Sequence, residues 1–435
     1  MTHLKYLDYL DLSSNDFEGI QVPEFFGNLK NLRYLNVSFA SFSWEIPPHL
    51  GNLSSLIYLD LHGNYDMHAK NLGWLSSLSS LKYLDMGDLN LSRAGADWLH
   101  AVNMLPSLLE LHLSWCELES LPPSLPFVNS TSLFVLDLLG NQFNSSIPQW
   151  LLNLTSLTKL DLSSNSFQVS IPYDFVNLRN LEHLDLSNNQ FNSSIPQWLL
   201  NLTSLTKLDL SSNSFQGSIP YDFVNLRNLE HLDLRSNHIT GQLPSFCGNL
   251  CKLETLDLSE NNFCGNIDGF FGNSSSYVNN RLESLDLSDN ELVGNIPDSL
   301  GRLGSLRCLS LYNNSFSGSI PASIGNLSSL QELYLYDNKM NGTITESSGQ
   351  LSKLVNLFLD ENSWEGVITE AQLMNLTSLE YFRLTTDKNQ SLVFNVTYNW
   401  VPPFKLKYLI LDNCLIGPKF PIWLQVQSEI NYSLT

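Results

Sequence analysis

Hydrophobic and polar positions recur along this chain with a period of 24 or 25 residues. Each period carries the phrase L-x-x-L-x-L-x-x-N, which is clearest at residues 157–165, 181–189, 205–213, 229–237 and 253–261. In its first six positions inward residues alternate with outward ones, and this alternation predicts a short strand. The ninth position, followed from Asn15 to Cys414, gives about 17 copies of the phrase.

The remainder of each period predicts a turn and an outer segment. After the asparagine comes F-x-G-x-I-P, as at residues 215–220, where phenylalanine forms a second buried column and glycine permits a tight turn. A phrase such as I-G-N-L-S-S-L at residues 324–330 then covers the outer face as a 3₁₀ turn or short helix. The ninth-position asparagine is expected to turn inward and to pair with buried backbone groups. Leu89 stands at that position without an amide, which predicts an irregular coil there.

This period and leucine spacing are typical of the leucine-rich repeat. We therefore expect an α/β, β-rich solenoid, a right-handed horseshoe with a parallel β-sheet on its concave face. Because a solenoid grows by adding coils, we predict a single array over residues 1–435, without cysteine caps. Longer steps between phrases predict irregular excursions near 117–130, 267–281 and 388–403.

Charge and hydropathy restrict the partners. The chain carries 43 acidic and 22 basic residues, a formal net charge of −21. This balance argues against nucleic acid or an anionic membrane surface, both of which need clustered Lys and Arg, and favours a basic partner. No apolar run is long enough for a transmembrane helix, and the first residues are already repeat sequence rather than a signal peptide.

Potential N-glycosylation sites indicate an extracellular setting. The sequence N-L-[ST] recurs in one register, on the surface segment that precedes a strand, where a glycan would not block the stacking of coils. The five positions are Asn52, Asn153, Asn201, Asn326 and Asn375. We interpret the chain as an extracellular segment that has lost its leader.

The six cysteines do not follow the spacing of a disulfide-stapled secreted domain. Cys116 and Cys414 replace the ninth-position asparagine, so both are predicted to be buried thiols. Cys247, Cys251 and Cys264 lie on neighbouring coils, and their pairing stays open, with a Cys247–Cys251 bridge geometrically feasible. The sequence contains no metal-binding motif, phosphate loop or dinucleotide motif, and we expect neither a metal nor a cofactor.

Outward side chains on the strands are the candidate ligand contacts. The position between the second and third leucines is aspartate in most coils up to Asp286 and includes Asp185, Asp209 and Asp233. Equivalent residues of stacked coils are about 4.8 Å apart, so these carboxylates repel one another. The column is either a solvated ladder that the repeat encodes or a docking strip for a basic ligand.

After Asp286 the outward positions become aromatic and basic. The predicted ligand-binding residues of this region are Tyr312, Tyr334, Tyr336, Phe358, Asp360, Tyr381 and Arg383. Tyrosine and arginine are frequent binding anchors because they combine large area with a polar end. The alternative is that the rings stack along the strands for stability alone. For a second tyrosine column near the start of the chain, which includes Tyr34 and Tyr58, we favour that structural interpretation.

An enzyme is the least favoured interpretation. His183 and Asp185 share a strand face with Ser163 one coil away, but an open sheet supplies no water-poor pocket for a nucleophile and its base. Segments 143–186 and 191–234 are identical except for Val169 and Gly217, so every group in the first copy recurs in the second. A unique catalytic residue is not expected in such a duplicated unit.

The repeat with I-P resembles the plant-specific class of leucine-rich repeat. Across essentially the whole chain, the sequence resembles plant receptor-like proteins, especially the group of the ethylene-inducing xylanase receptors and the Cf resistance proteins. The stretches that carry the resemblance are L-P-S-L at 105–108, S-S-I-P-Q-W at 145–150, S-W-E-G-V-I at 363–368, W-V-P-P-F at 400–404 and G-P-K-F-P at 417–421.

The resemblance implies an ectodomain at the plasma membrane that senses an extracellular peptide or protein ligand, including microbial ones, in plant defence. Such receptors have no kinase of their own and signal through a partner receptor kinase and a co-receptor kinase. Relative to the family layout, the chain lacks the leader, cysteine caps, transmembrane helix and basic tail, and we expect it to be truncated. The alternatives are a secreted inhibitor of a microbial cell-wall hydrolase and a truncated fragment that does not signal.

Overall fold

The computed structural model describes residues 4, 6–95, 97–125, 131–244, 250–271, 281–387, 391–397, 399–416 and 421–427. Two compact units divide the chain, Met1–Ser214 (unit 1) and Phe215–Thr435 (unit 2). Both units are built from short strands, 3₁₀ helices and tight turns that repeat with the period of the sequence.

Unit 1 is a stack of coils in which strands of three residues pair in parallel. Its strands, in chain order, are β1 Tyr9–Asp11, β2 Tyr34–Asn36, β3 Ser43–Glu45, β4 Tyr58–Asp60, β5 Asp66–His68, β6 Tyr83–Asp85, β7 Glu110–His112, β8 Val135–Asp137, β9 Lys159–Asp161, β10 Gln168–Val169, β11 His183–Asp185, β12 Gln190–Phe191 and β13 Lys207–Asp209. One parallel sheet joins β1, β2, β4, β6, β7, β8, β9, β11 and β13 in that order. Two-stranded sheets, β3 with β5 and β10 with β12, form after the turn of the coil.

Unit 2 repeats this construction. Its strands are β14 Gln216–Gly217, β15 His231–Asp233, β16 His238–Gly241, β17 Thr255–Asp257, β18 Asn262–Gly265, β19 Ser284–Asp286, β20 Glu291–Asn295, β21 Cys308–Ser310, β22 Ser315–Ser317, β23 Glu332–Tyr334, β24 Asn356–Phe358, β25 Gly366–Ile368, β26 Tyr381–Thr385, β27 Leu392–Phe394 and β28 Tyr408–Asp412. The main parallel sheet joins β15, β17, β19, β21, β23, β24, β26 and β28. Smaller sheets join β14 to β22 through the even-numbered strands, and β25 to β27.

Outer segments are mostly 3₁₀ helices, as the sequence predicts. They span Glu24–Asn28, Pro48–Asn52, Gly73–Ser77, Ser92–Ala94, Leu151–Asn153, Tyr173–Asn177 and Gln197–Asn201 in unit 1, and Tyr221–Asn225, Asp298–Arg302, Ala322–Asn326, Glu346–Gln350, Glu370–Gln372 and Ile422–Val426 in unit 2. Proline precedes many of them with φ near its fixed value and extended ψ, which directs the chain into the helix without using a backbone N–H.

The core of each coil is the predicted pair of columns. Leu160, Leu184 and Leu208 are fully buried and occupy one register of the sheet in unit 1. Behind them Phe143 and Phe167 are also fully buried, with ring centroids 6.0 Å apart. Parallel pairing in register is what brings equivalent leucines together, so a strict sequence period becomes a continuous apolar column. The α/β leucine-rich-repeat solenoid is thereby confirmed.

The ladder of asparagines seals the turns as predicted. Asn189 Nδ2 donates to the carbonyl oxygens of Leu162 (3.0 Å), Leu186 (3.2 Å) and Ser187 (3.0 Å), and its Oδ1 accepts from the backbone N–H of Phe167 (2.9 Å). One side chain therefore bonds four backbone groups in two coils and offsets the cost of covering them. The Ser187 carbonyl oxygen also accepts from the backbone N–H of Ser164 at 3.0 Å.

Cysteine at the ninth position has two outcomes. Cys116 is fully buried as predicted, and its Sγ donates to the carbonyl oxygen of Met86 at 3.1 Å. The prediction that Cys414 is buried is wrong, because it is partly exposed. Cys414 follows β28, the last strand of the described residues, so no further described strand covers its turn. Partial burial still raises the pKa of the Cys414 thiol to about 11. Cys247 lies outside the described residues, and with it the proposed Cys247–Cys251 bridge.

The irregular steps contain structure that the sequence did not predict. The coil after Leu89 continues into the 3₁₀ helix at Ser92–Ala94 and an α-helix, α1, at Asp97–Asn103. Trp98 of α1 is 1% exposed, and its Nε1 donates to the carbonyl oxygen of Ser120. The excursion near 388–403 includes β27. Residues 126–130, 272–280, 388–390 and 398 of the three predicted excursions lie outside the described residues.

Candidate functional site

The aspartate column lies on the outward face of the strands but has a local role in the coil. In unit 1, Asp185 Oδ1 accepts from the backbone N–H of Ser187 at 3.1 Å and from its hydroxyl at 2.6 Å. The same pair of bonds recurs at Asp11, Asp161 and Asp209, and in unit 2 at Asp257 and Asp286. These carboxylates close the turn after each strand, so one oxygen of each is committed to the fold.

Asn36 occupies this column and makes the same two bonds, from Ser38 N–H at 2.9 Å and Ser38 Oγ at 2.8 Å. A neutral amide therefore suffices for the turn. The negative charge at the other positions is not required by this local geometry.

Burial changes the acidity of several members of the column. Partial burial raises the pKa of Asp161, Asp209 and Asp286, because a carboxylate loses hydration when it is covered. Some carboxylates of the aspartate column have a basic side chain nearby. Lys207 Nζ lies 3.4 Å from Asp185 Oδ2 in unit 1, and in unit 2 Arg235 lies 3.7 Å from Asp233 and 3.9 Å from Asp257.

The predicted aromatic region of unit 2 is a contiguous cluster on β21 to β26, which we call the aromatic patch (Tyr312, Tyr334, Tyr336, Phe358 and Arg383). Tyr312 and Tyr336 stack with centroids 4.4 Å apart and planes 6° from parallel. Tyr334 and Phe358 meet edge to face at 5.2 Å. All four rings are half-buried, so part of the surface of each is open to solvent.

Arg383 contacts two rings of the aromatic patch and one carboxylate. Its Cζ lies 5.0 Å from the ring centroid of Phe358 and 5.8 Å from that of Tyr336, within the range of cation–π attraction. Its guanidinium also pairs with the carboxylate of Asp360, which is 2% exposed. Burial raises the pKa of Asp360, and the adjacent positive charge opposes that shift. Asp360 is thus a buried anchor that orients Arg383 and is not itself presented to a ligand.

Two further contacts fix the edge of the aromatic patch. Tyr334 Oη donates to Glu332 Oε2 at 3.2 Å and accepts from Asn356 Nδ2 at 3.0 Å, and burial raises the pKa of Tyr334 to about 12. Tyr381 does not join the rings. It lies in the column of Asn356 and Tyr408, two residues before Arg383, and is half-buried there.

The tyrosine column of unit 1 is a regular stack. Ring centroids of Tyr9, Tyr34, Tyr58 and Tyr83 follow one another at 4.1, 4.3 and 4.2 Å, with planes within 11° of parallel. These distances are shorter than the spacing of about 4.8 Å between neighbouring strands, so the rings lean together. The stack is consistent with the structural interpretation.

Two exposed aromatic residues at turn positions were not predicted from the sequence. Phe39 and Trp115, 50% and 55% exposed, have left-handed backbone at the position that is serine, glycine or asparagine in most coils. Glycine follows one coil later in both cases, and a Cβ on Gly63 or Gly140 would lie 2.4 or 2.3 Å from the ring. The sequence signal for both residues is an aromatic side chain at the eighth position of the phrase, followed by glycine at the eighth position of the next phrase.

The residues considered for catalysis do not form a triad. Ser163 Oγ donates to Asp161 at 2.5 Å and Ser211 Oγ donates to Asp209 at 2.7 Å, so both hydroxyls serve the turns of their own coils. His231 Nδ1 lies 2.8 Å from Thr255 Oγ1. Over the described residues, no group of three or more His, Cys, Asp or Glu could hold a metal ion.

The five candidate glycosylation sites share one environment. Asn52, Asn153, Asn201 and Asn326 are each the last residue of a 3₁₀ helix, and Asn375 lies in the turn after one. All five side chains are exposed. A search of the described residues finds no helix that combines the length and apolarity needed to cross a membrane.

Family models agree with this geometry in both units. Models described as "Leucine-rich repeat region", "Leucine Rich repeats (2 copies)", "Leucine rich repeat" and "Leucine Rich Repeat" match residues 280–434, 227–272, 172–215, and 6–29, 31–53 and 156–178, respectively. The chain is a leucine-rich repeat protein. Within that class its sequence is similar to plant receptor-like proteins.

Two tomato (Solanum lycopersicum) relatives are Receptor-like protein EIX1, 45% identical, and Receptor-like protein EIX2, 40% identical, each over 157 residues. Each match covers 35% of this chain and 15% of the relative. The matched region is therefore a small part of those proteins.

Solved structures extend the likeness along the chain. A TDR receptor has a TM-score of 0.77 at 28% identity and covers 98% of this chain and 79% of its own. The ectodomain of the Arabidopsis receptor kinase HAESA, in complex with an N-terminally extended IDA peptide hormone, has a TM-score of 0.69 at 26% identity, covering 96% and 72%. HAESA with IDA and the co-receptor SERK1 has a TM-score of 0.54 at 25% identity, covering 98% and 82%.

Proposed function

We propose that this chain is the extracellular ligand-recognition part of a plant cell-surface receptor-like protein that acts in defence. The observation that carries the proposal is the aromatic patch, in which Arg383 lies against Tyr336 and Phe358 and is held by the buried Asp360. Rings that are partly open, together with a fixed guanidinium, offer large contact area with little side-chain entropy to lose on binding.

The ligand is proposed to be a peptide or protein, of microbial origin in the defence setting. Support comes from HAESA, which is similar in fold and whose solved ectodomain holds a peptide hormone. Signalling is proposed to pass through a partner receptor kinase and a co-receptor kinase, and HAESA has been solved together with a co-receptor. The full-length receptor would act at the outer face of the plasma membrane.

The test uses a fungal ethylene-inducing xylanase as the probe, because the sequence resembles receptors for that protein. The chain, secreted from plant cells, is titrated against immobilised xylanase by biolayer interferometry. Combined Tyr334→Ser, Tyr336→Ser and Phe358→Ser should weaken binding more than about tenfold, since central aromatic anchors dominate interface energies. Arg383→Lys should also weaken binding, because lysine keeps the charge but loses the planar face.

The matched control is Tyr34→Ser with Tyr58→Ser in the tyrosine stack of unit 1, which should change affinity less than about twofold. Thermal melts of every variant separate loss of binding from loss of fold. Full affinity in the triple variant would refute the aromatic patch as the binding surface. Absence of binding by the wild-type chain would refute the xylanase as its ligand.

The aspartate column is proposed to add attraction for basic ligands. Its support is charge, since the chain carries −21 and the turn geometry itself does not need the negative charge. Asp185→Asn with Asp209→Asn in unit 1, and Asp233→Asn in unit 2, should leave each fold intact and reduce the salt dependence of the on-rate for a basic ligand. An unchanged salt dependence would show that the column serves the turns alone.

A further inference from the structure

One position of the repeat adopts a left-handed backbone in many coils and is usually glycine. It lies two residues after the second-column hydrophobic residue, where the chain turns into the I-P segment. Over the described residues, φ is positive at this position at Gly19, Gly217, Gly241, Gly265, Gly294, Gly318 and Gly366, and at two residues that are not glycine, Trp44 and Val169.

Trp44 is the aromatic member of this set. Its φ is +73°, a conformation that costs little for glycine but strains a residue with a bulky side chain. The side chain is 64% exposed, so burial of the indole does not offset that strain. The indole therefore gains little from burial, and it presents an aromatic surface that a ligand can contact.

An open cleft lies beside Trp44 in unit 1. It has a volume of about 310 Å³ and is lined by Tyr65, Asp66, Met67, His68, Asn90 and Arg93. Parallel pairing of β3 with β5 sets Trp44 next to Met67 and Glu45 next to His68. We call this surface the Trp44 cleft. It lies on the side of the coil that carries β3 and β5, away from the outward face of the main sheet.

The polar side chains of the Trp44 cleft differ in how far they are engaged, and Asn90 is already bonded to Glu117 and Ser92. Over the described residues, Asp66, His68 and Arg93 make no side-chain hydrogen bond and no ion pair within 4.0 Å. Tyr65 is 69% exposed and offers a second aromatic face. The formal charges balance, because Asp66 and Arg93 both line the cleft and Glu45 pairs with Lys70 at 2.7 Å. Glu45 is also close enough to His68 and Arg93 for their charges to help Lys70 lower the pKa of its carboxyl.

We propose that the Trp44 cleft binds a neutral oligosaccharide. Sugar rings carry apolar C–H faces that pack on flat aromatic side chains, and their hydroxyls both donate and accept hydrogen bonds. Trp44 and Tyr65 supply the faces, Arg93 supplies donors and Asp66 supplies acceptors. An acidic saccharide would meet Asp66 in a chain of net charge −21, and an apolar ligand would cover these polar groups without satisfying them.

This site goes beyond the peptide recognition proposed above and uses different residues. It would give the chain a second ligand, a saccharide of the extracellular matrix or of a microbial surface. Both sources present the same neutral sugar chemistry. The experiment therefore tests that chemistry with defined oligosaccharides.

The test titrates the full chain with cellohexaose, a neutral hexasaccharide, and with hexagalacturonic acid, an acidic one, by isothermal titration calorimetry. Cellohexaose is expected to bind, and Trp44→Gly should weaken it at least about tenfold, a loss of about 1.4 kcal/mol. Trp44→Gly restores the residue found in the other coils, so it should relieve strain and keep the fold. Tyr65→Ser provides a second variant at an exposed position and should also weaken binding.

The chain supplies its own matched control. Val169→Gly makes the same kind of change at the same repeat position of another coil of unit 1, and should leave cellohexaose binding unchanged within about twofold. The serine triple variant of the aromatic patch should also retain it, which keeps this proposal separate from the peptide site. The proposal is overturned if no cellohexaose binds, if Trp44→Gly binds as well as the wild type, or if only the acidic sugar binds.

Discussion

Single side chains at fixed positions of the repeat satisfy several backbone groups at once. The ninth-position asparagine Asn189 makes four hydrogen bonds, and Asp185 of the aspartate column accepts two. Both kinds of side chain serve the turn that ends a strand, where N–H and C=O groups are removed from water. The asparagine role could be predicted from the sequence, while the aspartates looked like free surface charge.

Asn189→Leu is expected to lower the free energy of unfolding by about 3 kcal/mol, because buried backbone groups lose their partners. Urea denaturation of the full chain measures the loss. Asn189→Cys is the matched variant and should cost less, since Cys116 shows that a thiol at this position still donates to a carbonyl oxygen. Equal stability of Asn189→Leu and wild type would contradict the assigned role.

His62 should make stability depend on pH near neutrality. Its ring nitrogens lie 3.5 Å from Asp85 and 3.4 Å from Asp88, and these two carboxylates, Asp85 foremost, raise the pKa of His62 above its usual 6.5. The folded state therefore binds this proton more tightly than the unfolded state does. The stabilisation is fully present below about pH 6.5 and is lost as the pH rises through the higher folded-state value.

The thermal midpoint should thus be higher at pH 6 than at pH 8, and His62→Gln should reduce that difference. Other groups titrate over this range, so the measurement is the difference between the two proteins at each pH. An identical pH dependence for both would show that His62 does not contribute.

At the scale of elements, the sequence predicts the strands, the turns and the outer 3₁₀ helices, because each depends on spacing within one period. It did not predict α1 or the small sheets after the turns. The helix depends on the contact of Trp98 with the next coil, where its Nε1 donates to the carbonyl oxygen of Ser120. The small sheets depend on the distance between neighbouring turns, which must be short enough for their strands to pair. Both are contacts between coils, which a single period does not contain.

The duplicated segments test the turn position directly. Val169 and Gly217 are the single difference between the copies, and both have left-handed backbone, with φ of +77° and +80°. Gly217→Val is expected to cost about 1 kcal/mol, because a β-branched residue is strained there. Val169→Gly should be neutral or slightly stabilising, and urea midpoints of the two variants compare them. A destabilising Val169→Gly would show that its exposed side chain makes contacts that offset the strain.

For the whole molecule, exposure of the five N-L-[ST] asparagines predicts a glycoprotein. Chain secreted from plant cells should carry N-glycans at Asn52, Asn153, Asn201, Asn326 and Asn375, detected by mass spectrometry of glycopeptides. Asn36 is the control, because it also stands in an acceptor sequence but is 9% exposed and bonds Ser38. Folded protein should carry no glycan at Asn36. Modification there, or none at the five exposed sites, would contradict the prediction.

The coil follows from the sequence alone, because a period of about 25 residues with fixed leucine, asparagine and phenylalanine positions leaves one way to bury those side chains. The sequence also indicated the aromatic residues of unit 2. Which of these residues act together depends on contacts between coils: Asp360 is buried and pairs with Arg383, Tyr381 stands apart, and Trp44 lies next to Met67 of a cleft formed by later residues. Burial and pairing across coils depend on neighbours distant in sequence, and a local pattern does not specify them.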